Sequence, residues 1–163
     1  MPMPAESHTH PSTGKVLNAA RRLGLTIEVH HFPEGTRTAQ EAAQAVGASL
    51  GQIAKSMVFM ADGKAVLVLT AGPNRVDAGK VARHLDARQV RRASADEVRQ
   101  ATGFAIGGVP PFGHTRRLTV FFDRDLLQFE TVWAAAGTPN AVFPIEPQLL
   151  AQASGAAVAD IKE

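Results

Sequence analysis

One lysine and one loop hold the chemistry that this sequence offers. Lys55 stands between Ile53-Ala54 and the apolar run Met57-Val58-Phe59-Met60. An ammonium in such surroundings is costly unless it reaches water or meets an anionic or carbonyl partner. A lysine at the start of a strand can also extend its stem outward and keep its head wet. The second feature is Gly107-Gly108-Val109-Pro110-Pro111-Phe112-Gly113, part of a stretch from Gly103 to His114 with four glycines and two prolines in twelve residues. Glycines let backbone N–H groups approach a ligand closely, and prolines stiffen the chain that presents them. A rigid crossover that binds nothing would have the same composition. The six histidines are His8, His10, the His30/His31 pair, His84 and His114, with no chelating spacing beyond the adjacent pair. A phosphate-cradling Gly-x-x-x-x-Gly-Lys-Ser/Thr, a Gly-x-Ser-x-Gly elbow and a His-Glu-x-x-His zinc helix are all absent. The chain has no cysteine, which excludes disulfides, thiolate nucleophiles and cysteine-type zinc sites. Neither a metal nor a cofactor is expected.

Composition sets the frame for these residues. At 163 residues, 45% hydrophobic and 20% charged, with a mean hydropathy of -0.04, the chain suits one soluble core. No apolar run reaches the ~18 residues of a membrane span, and the first residues lack the blocks of a signal peptide. The expected location is the cytoplasm, and no membrane partner is expected. Seventeen basic and fifteen acidic residues give a net charge of +2, while the pI is about 9.4. Without Tyr or Cys little titrates between the histidines and the lysines, so the high pI says little about a nucleic-acid partner. Between Arg75 and Arg99, however, seven basic residues face four acidic ones. That local excess could meet a phosphate backbone or form a solvated helix face.

The positioning elements follow from pattern. Residues 1–11 read as a flexible leader, and 12–163 as a single domain. A helix is expected from a Ser12 or Thr13 cap to Gly24, with Val16, Leu17, Ala20 and Leu23 on one face. Leu25 to His31 alternates as a half-buried strand that places His31 on the Leu25/Ile27/Val29 side. Phe32 to Arg37 reads as a loop. Thr38 to Glu41 and Ser94 to Glu97 are capping boxes, opening helices that end at Gly47 and Gly103. Two apolar runs joined by Asp62-Gly63 predict a type I′ hairpin at the centre of a sheet. Asp77 caps a helix of about ten residues, and a basic segment runs from Ala87 to Arg92. Strands are expected over Leu118–Phe122, Phe129–Ala135 and Ala141–Ile145, with a turn at Asp123-Arg124-Asp125 and a helix opening at Pro147. Helices and antiparallel strands without regular βαβ alternation indicate an α+β protein with a curved, mixed sheet.

Three stretches carry a resemblance. Ile53-Ala54-Lys55-Ser56-Met57-Val58-Phe59, Asn74-Arg75-Val76-Asp77, and Thr102 through His114 resemble, in order and spacing, the YbaK/prolyl-tRNA-synthetase-associated editing family, as does the ending from Ala136-Gly137 to Pro147-Gln148-Leu149-Leu150. The likeness runs from about Lys15 to the end of the chain. It implies a curved, mixed, barrel-like sheet flanked by helices. It also implies a free-standing deacylase that hydrolyses the ester of a mischarged tRNA, here tRNA-Pro carrying Cys, Ala or another small amino acid. The family's essential lysine falls on Lys55, and its glycine loop on Gly107, Gly108, Val109, Pro110, Phe112 and Gly113. Ser56, Phe32 and His114 flank these as expected substrate-binding positions, although His114 could equally cap the next strand. Phe32, Met57, Phe59, Ile106 and Phe112 are candidate pocket walls, with core packing the alternative for Met57 and Phe59. Arg83, Arg88, Arg91 and Arg92 are the expected tRNA surface, and prolyl-tRNA synthetase the expected protein partner. Gly137-Thr138-Pro139-Asn140 departs from the many relatives that carry an acidic or basic residue after that glycine. The competing expectation is a non-catalytic tRNA- or synthetase-binding module of the same fold.

Overall fold

Asp62 and Gly63 both lie at positive φ, 49° and 83°. This is the type I′ geometry whose twist matches that of paired strands, and the sheet is built outward from it. The computed structural model describes residues 10–32 and 38–163. In it, β2 (Ile53–Ala61) pairs antiparallel, from Ala54 onward, with the whole of β3 (Lys64–Ala71). Beyond β3 lie β5 (Thr119–Asp123) and β8 (Ala157–Ala159), each parallel to its neighbour. On the other side β2 meets β6 (Val132–Ala135) in parallel. β6 pairs antiparallel with β7 (Ala141–Ile145), and β7 with the two-residue β1 (His30–His31). A short β4 (Val90–Arg92) also pairs with β2. The result is an eight-stranded mixed sheet in the order β1-β7-β6-β2-β3-β5-β8, with β4 added on β2. It is α+β and mixed as expected. Among the described residues the barrel-like sheet is not closed, because β1 and β8 end the order without pairing to each other.

Both faces of the central hairpin are covered, which is why β3 reads as a run of buried residues rather than an alternation. Ala54, Val58, Leu67 and Leu69 pack with Phe104, Phe122 and Phe143, against α1 (Pro11–Arg22), α4 (Ala95–Thr102) and α5 (Pro147–Ser154) through Val16, Val98 and Leu150. Phe59, Ala61, Val66 and Val68 face the other way, toward Val81 of α3 (Ala78–Leu85) and Ile161. α2 (Ala39–Val46) sets Ala42 and Ala43 on Ile53 in a small third cluster. Among the described residues no helix is long and apolar enough to cross a membrane.

Several boundaries move. Helix α1 begins at Pro11, because the His10 imidazole accepts the Ser12 N–H at 3.0 Å and caps it, ahead of the expected Ser12 or Thr13. Residues 1–9 of the expected leader, with His8, lie outside the described residues, as do positions 33–37 of the expected loop. The strand expected over Leu25–His31 shrinks to its last two residues. Leu25, Ile27 and Val29 still pack on the core, but the alternation breaks: His30 is half-buried edge-on to Trp133 and His31 is exposed. At Thr38 the hydroxyl accepts the Glu41 N–H and donates to the Glu41 carboxylate. The Ser94 box is reciprocal. A 3₁₀ turn over Arg124–Gln128 delays β6 to Val132.

Candidate functional site

The outer edge of β2 is only partly paired. β6 lies opposite Ile53 and Ala54, and β4 opposite Phe59 to Ala61. On this edge the Asp62 N–H donates to the Gln89 carbonyl and the Ala93 N–H donates to the Val58 carbonyl, both at 3.0 Å. Even-numbered residues of β2 therefore turn their backbone groups outward, as alternate residues of a strand must. Ser56 falls between the two partners. Its N–H and C=O face the gap without a strand partner among the described residues, and its Oγ is buried and unpaired. Buried polar groups left this way are uncommon and costly. In front of the gap is a hollow of about 290 Å³ lined by Lys55, Ser56 and Met57 of β2, Trp133 and Ala134 of β6, Val142 of β7, Ala42 of α2, and Ile106, Gly107 and Val109 of the loop.

Of the open alternatives for Lys55, the structure shows a carbonyl partner: Nζ donates to the backbone oxygen of Asn74 at 3.1 Å. The Asn74 amide in turn donates to Asp123 and Asp125, each at 2.8 Å. Asp123, only 2% exposed, also accepts from the Thr70 hydroxyl and the Ala71 N–H. Burial lowers the Lys55 pKa below the usual lysine value, and the Arg92 and Arg75 guanidinium groups lower it further, against an opposing pull from Asp123. Lys55, Met57 and Arg92 are also walls of a second hollow of about 500 Å³, which holds Phe59, Asn74 and Arg75. Lys55 thus stands between a mostly apolar space and a basic one.

The glycine-proline loop divides. Gly107 and Val109 line the Lys55 hollow. Gly108 is packed on the following turn, where an added Cβ would stand 2.7 Å from Thr138 Cα, and its N–H donates to the Ala105 carbonyl. Pro110, Phe112, Gly113 and His114 lie beyond the hollow. Phe112 is buried beside Phe143, Gly113 sits against Ala19, and the His114 ring bonds the Pro110 carbonyl at 2.7 Å. Burial lowers the His114 pKa. Of the candidate walls, Met57 and Ile106 line the hollow, whereas Phe59 is in the core and Phe32 donates its backbone N–H to the Asn140 carbonyl. Among the four arginines, Arg92 borders Lys55. Arg91 is held by Glu97 through two 2.8 Å bonds, and Arg83 and Arg88 are exposed elsewhere. Trp133, Ala42 and Val142 were not anticipated as lining, because apolar residues around a hollow look like core in a sequence. A larger depression, about 710 Å³, lies near the hairpin turn with Arg116 and Arg117 and contains none of this chemistry. Among the described residues no group of three His, Asp or Glu side chains is placed to hold a metal.

Comparison with known proteins finds similar sequences and a similar fold. Residues 33–153 match the family model described as aminoacyl-tRNA editing domain. The uncharacterized protein YwhH of Bacillus subtilis is 35% identical over 128 residues, covering 78% of this chain and 81% of that protein. A proline–tRNA ligase of Bacillus licheniformis is 41% identical over 93 residues, 57% of this chain but 16% of the ligase. A crystal structure of a candidate trans-editing enzyme for prolyl tRNA synthetase superposes with a TM-score of 0.91 at 49% identity, covering 95% of this chain and 99% of that one.

Proposed function

The chain belongs to the aminoacyl-tRNA editing domain family, and from that premise we propose that it hydrolyses the ester of a mischarged tRNA in trans, with tRNA-Pro carrying Ala, Cys or another small amino acid as substrate. The observation that carries this reading is the gap in the β2 ladder. It brings a cation, an unpaired backbone N–H and a small apolar hollow to one place. At about 290 Å³ the hollow lies at the low end of the ~300–1,000 Å³ of small-molecule sites, which suits a small amino acid.

In this reading the amino-acid side chain enters between Trp133, Ala42 and Val109. The ester carbonyl lies at the β2 edge, between the Lys55 ammonium and the Ser56 N–H. Water adds to the carbonyl carbon, and the negative charge that develops on the oxygen is stabilised by these two groups. Loss of one such donor typically costs about 10²–10³ in rate. The tetrahedral intermediate then collapses, expelling the ribose oxygen, which takes up a proton; the products are the free amino acid and tRNA. No carboxylate or imidazole lines the hollow among the described residues. In this reading the proton of the attacking water is relayed through a group of the substrate, such as the neighbouring ribose hydroxyl, to the departing ribose oxygen. Arg92 and Arg75, on the basic side of Lys55, face the phosphates of the acceptor end. A second sieve of this kind answers a need, because a synthetase pocket separates amino acids by only ~10–200-fold per methylene.

The test is deacylation of tRNA-Pro charged in turn with Pro, Ala, Cys and Ser. Release of one non-cognate amino acid, lost in a folded Lys55→Ala protein, is the expected result. Full-rate release by Lys55→Ala removes the role of Lys55, and no release from any substrate leaves a tRNA-binding module.

A further inference from the structure

The backbone carbonyl that receives Lys55 is not left to an ordinary loop. We infer that Asn74 is a positioning residue for Lys55, its side chain clamped between two carboxylates so that its own carbonyl is held on the ammonium. This rests on the proposed role of Lys55. The clamp has four parts. The Asn74 amide uses both hydrogens, one on Asp123 and one on Asp125, each at 2.8 Å. The Asn74 N–H donates to the Ala71 carbonyl at 2.9 Å, closing the turn from β3. Asp123 is fixed from beneath by the Thr70 hydroxyl and the Ala71 N–H, and Asp125 from above by the Lys162 ammonium. Finally, the segment around residues 160–163 straps the chain after Asn74. The Asp77 N–H donates to the Ile161 carbonyl at 2.7 Å, and the Glu163 N–H to the Arg75 carbonyl at 2.9 Å.

Two carboxylates facing one amide are unusual unless both must be satisfied by it, since a carboxylate only accepts. Asparagine supplies two donors from one planar group, so its plane is set by Asp123 and Asp125 together, and the adjoining carbonyl is set with it. Alanine supplies no donor, and aspartate adds a third negative charge. The clamp also explains how an ammonium at a half-buried strand position keeps one hydrogen engaged while leaving two directed elsewhere.

Lys55 is faced by Arg92 from β4, Arg75 from the strapped segment, Asp123 from β5 and Glu163 in the shared hollow, so its titration reports its setting directly. The experiment follows the Lys55 side-chain ¹³Cε signal against pH in wild type, Asn74→Ala and Asn74→Asp, with thermal midpoints and deacylation kinetics on the same samples. With the carbonyl released, Lys55 in folded Asn74→Ala titrates at lower pH than wild type, and kcat falls tenfold or more while KM stays within twofold. Asn74→Asp is poorly active at neutral pH and recovers relative to wild type as the pH falls and the new carboxyl becomes a donor. An unchanged or raised Lys55 titration in folded Asn74→Ala overturns the inference. The same holds if lower thermal stability accompanies wild-type kcat and an unaltered pH profile. Because the ¹³C measurement needs no substrate, it separates failure of the clamp from failure of the proposed role of Lys55, which the Lys55→Ala assay reads.

Discussion

Replacing Gly108 by alanine adds a single carbon where the loop and the 137–138 turn touch. That carbon would stand 2.7 Å from Thr138 Cα, 2.8 Å from the Gly137 carbonyl oxygen and 2.9 Å from its carbon. All three are backbone atoms, so no side chain can rotate away and the two segments must part. Overpacking of this kind costs about 1–3 kcal/mol. For a chain of this size that lowers the thermal midpoint by about 2–12 °C. The displacement is also functional, because Gly107 and Val109 on one segment and Thr138 and Pro139 on the other line the same hollow. Parting them widens it, so kcat/KM for the preferred small amino acid falls and discrimination against larger ones narrows. Gly14 is the internal control. It lies in α1, where an added Cβ would meet nothing within 4 Å, so alanine there raises stability by about 0.4–1 kcal/mol through lost unfolded-state entropy. Differential scanning calorimetry and the charged-tRNA panel read both variants. A Gly108→Ala protein with a midpoint within about 1 °C of wild type and unchanged selectivity refutes the reasoning.

Binding of labelled tRNA by Arg92→Ala, followed by fluorescence anisotropy across a salt series, shows a log–log slope smaller in magnitude by about one. Arg91→Ala changes it less, since Glu97 already holds that guanidinium, and equal slopes would contradict the placement of the phosphates near Lys55. The Glu97 carboxyl is lowered from 4.5 to about 2, by the Arg91 side chain first and the Ser94 N–H next. Its contribution is therefore present above the unfolded value and is lost as pH falls from about 4.5 toward 2. Urea midpoints measured across that window fall less steeply in Glu97→Gln than in wild type; parallel curves would show that the group does not contribute.

What was legible in the sequence lay where the determinants sit within a few residues of one another. Asp62-Gly63, the Ser94 box and Pro147 at the first turn of α5 each specify a local geometry by their own chemistry, and each is found in place. β4 and β8 escaped because three residues with one buried or half-buried position carry no period. They are strands only because β2 and β5 offer them an edge. Lys55 stood out because its charge conflicted with its neighbours, yet its partner is the carbonyl of a residue nineteen positions away, which no local pattern encodes. The glycine loop was visible as one unit, but the chain turns within it, so that Gly107 and Val109 reach the hollow while Phe112 and Gly113 serve the packing of Phe143 and Ala19.

The unpaired stretch of β2 has a consequence for how such a domain can diversify. The N–H at position 56 belongs to the main chain, so every residue except proline presents it, and its aim follows from where β6 stops and β4 starts. The walls around it are ordinary side chains on other elements: Ala42, Trp133, Val142 and Ile106. Under the proposed function, substitutions among those walls retune which amino acid fits without disturbing the donor proposed to meet its carbonyl. On that reading the oxyanion donor is fixed by the strand lengths, while the fit of the amino acid is set by side chains that can change independently of it.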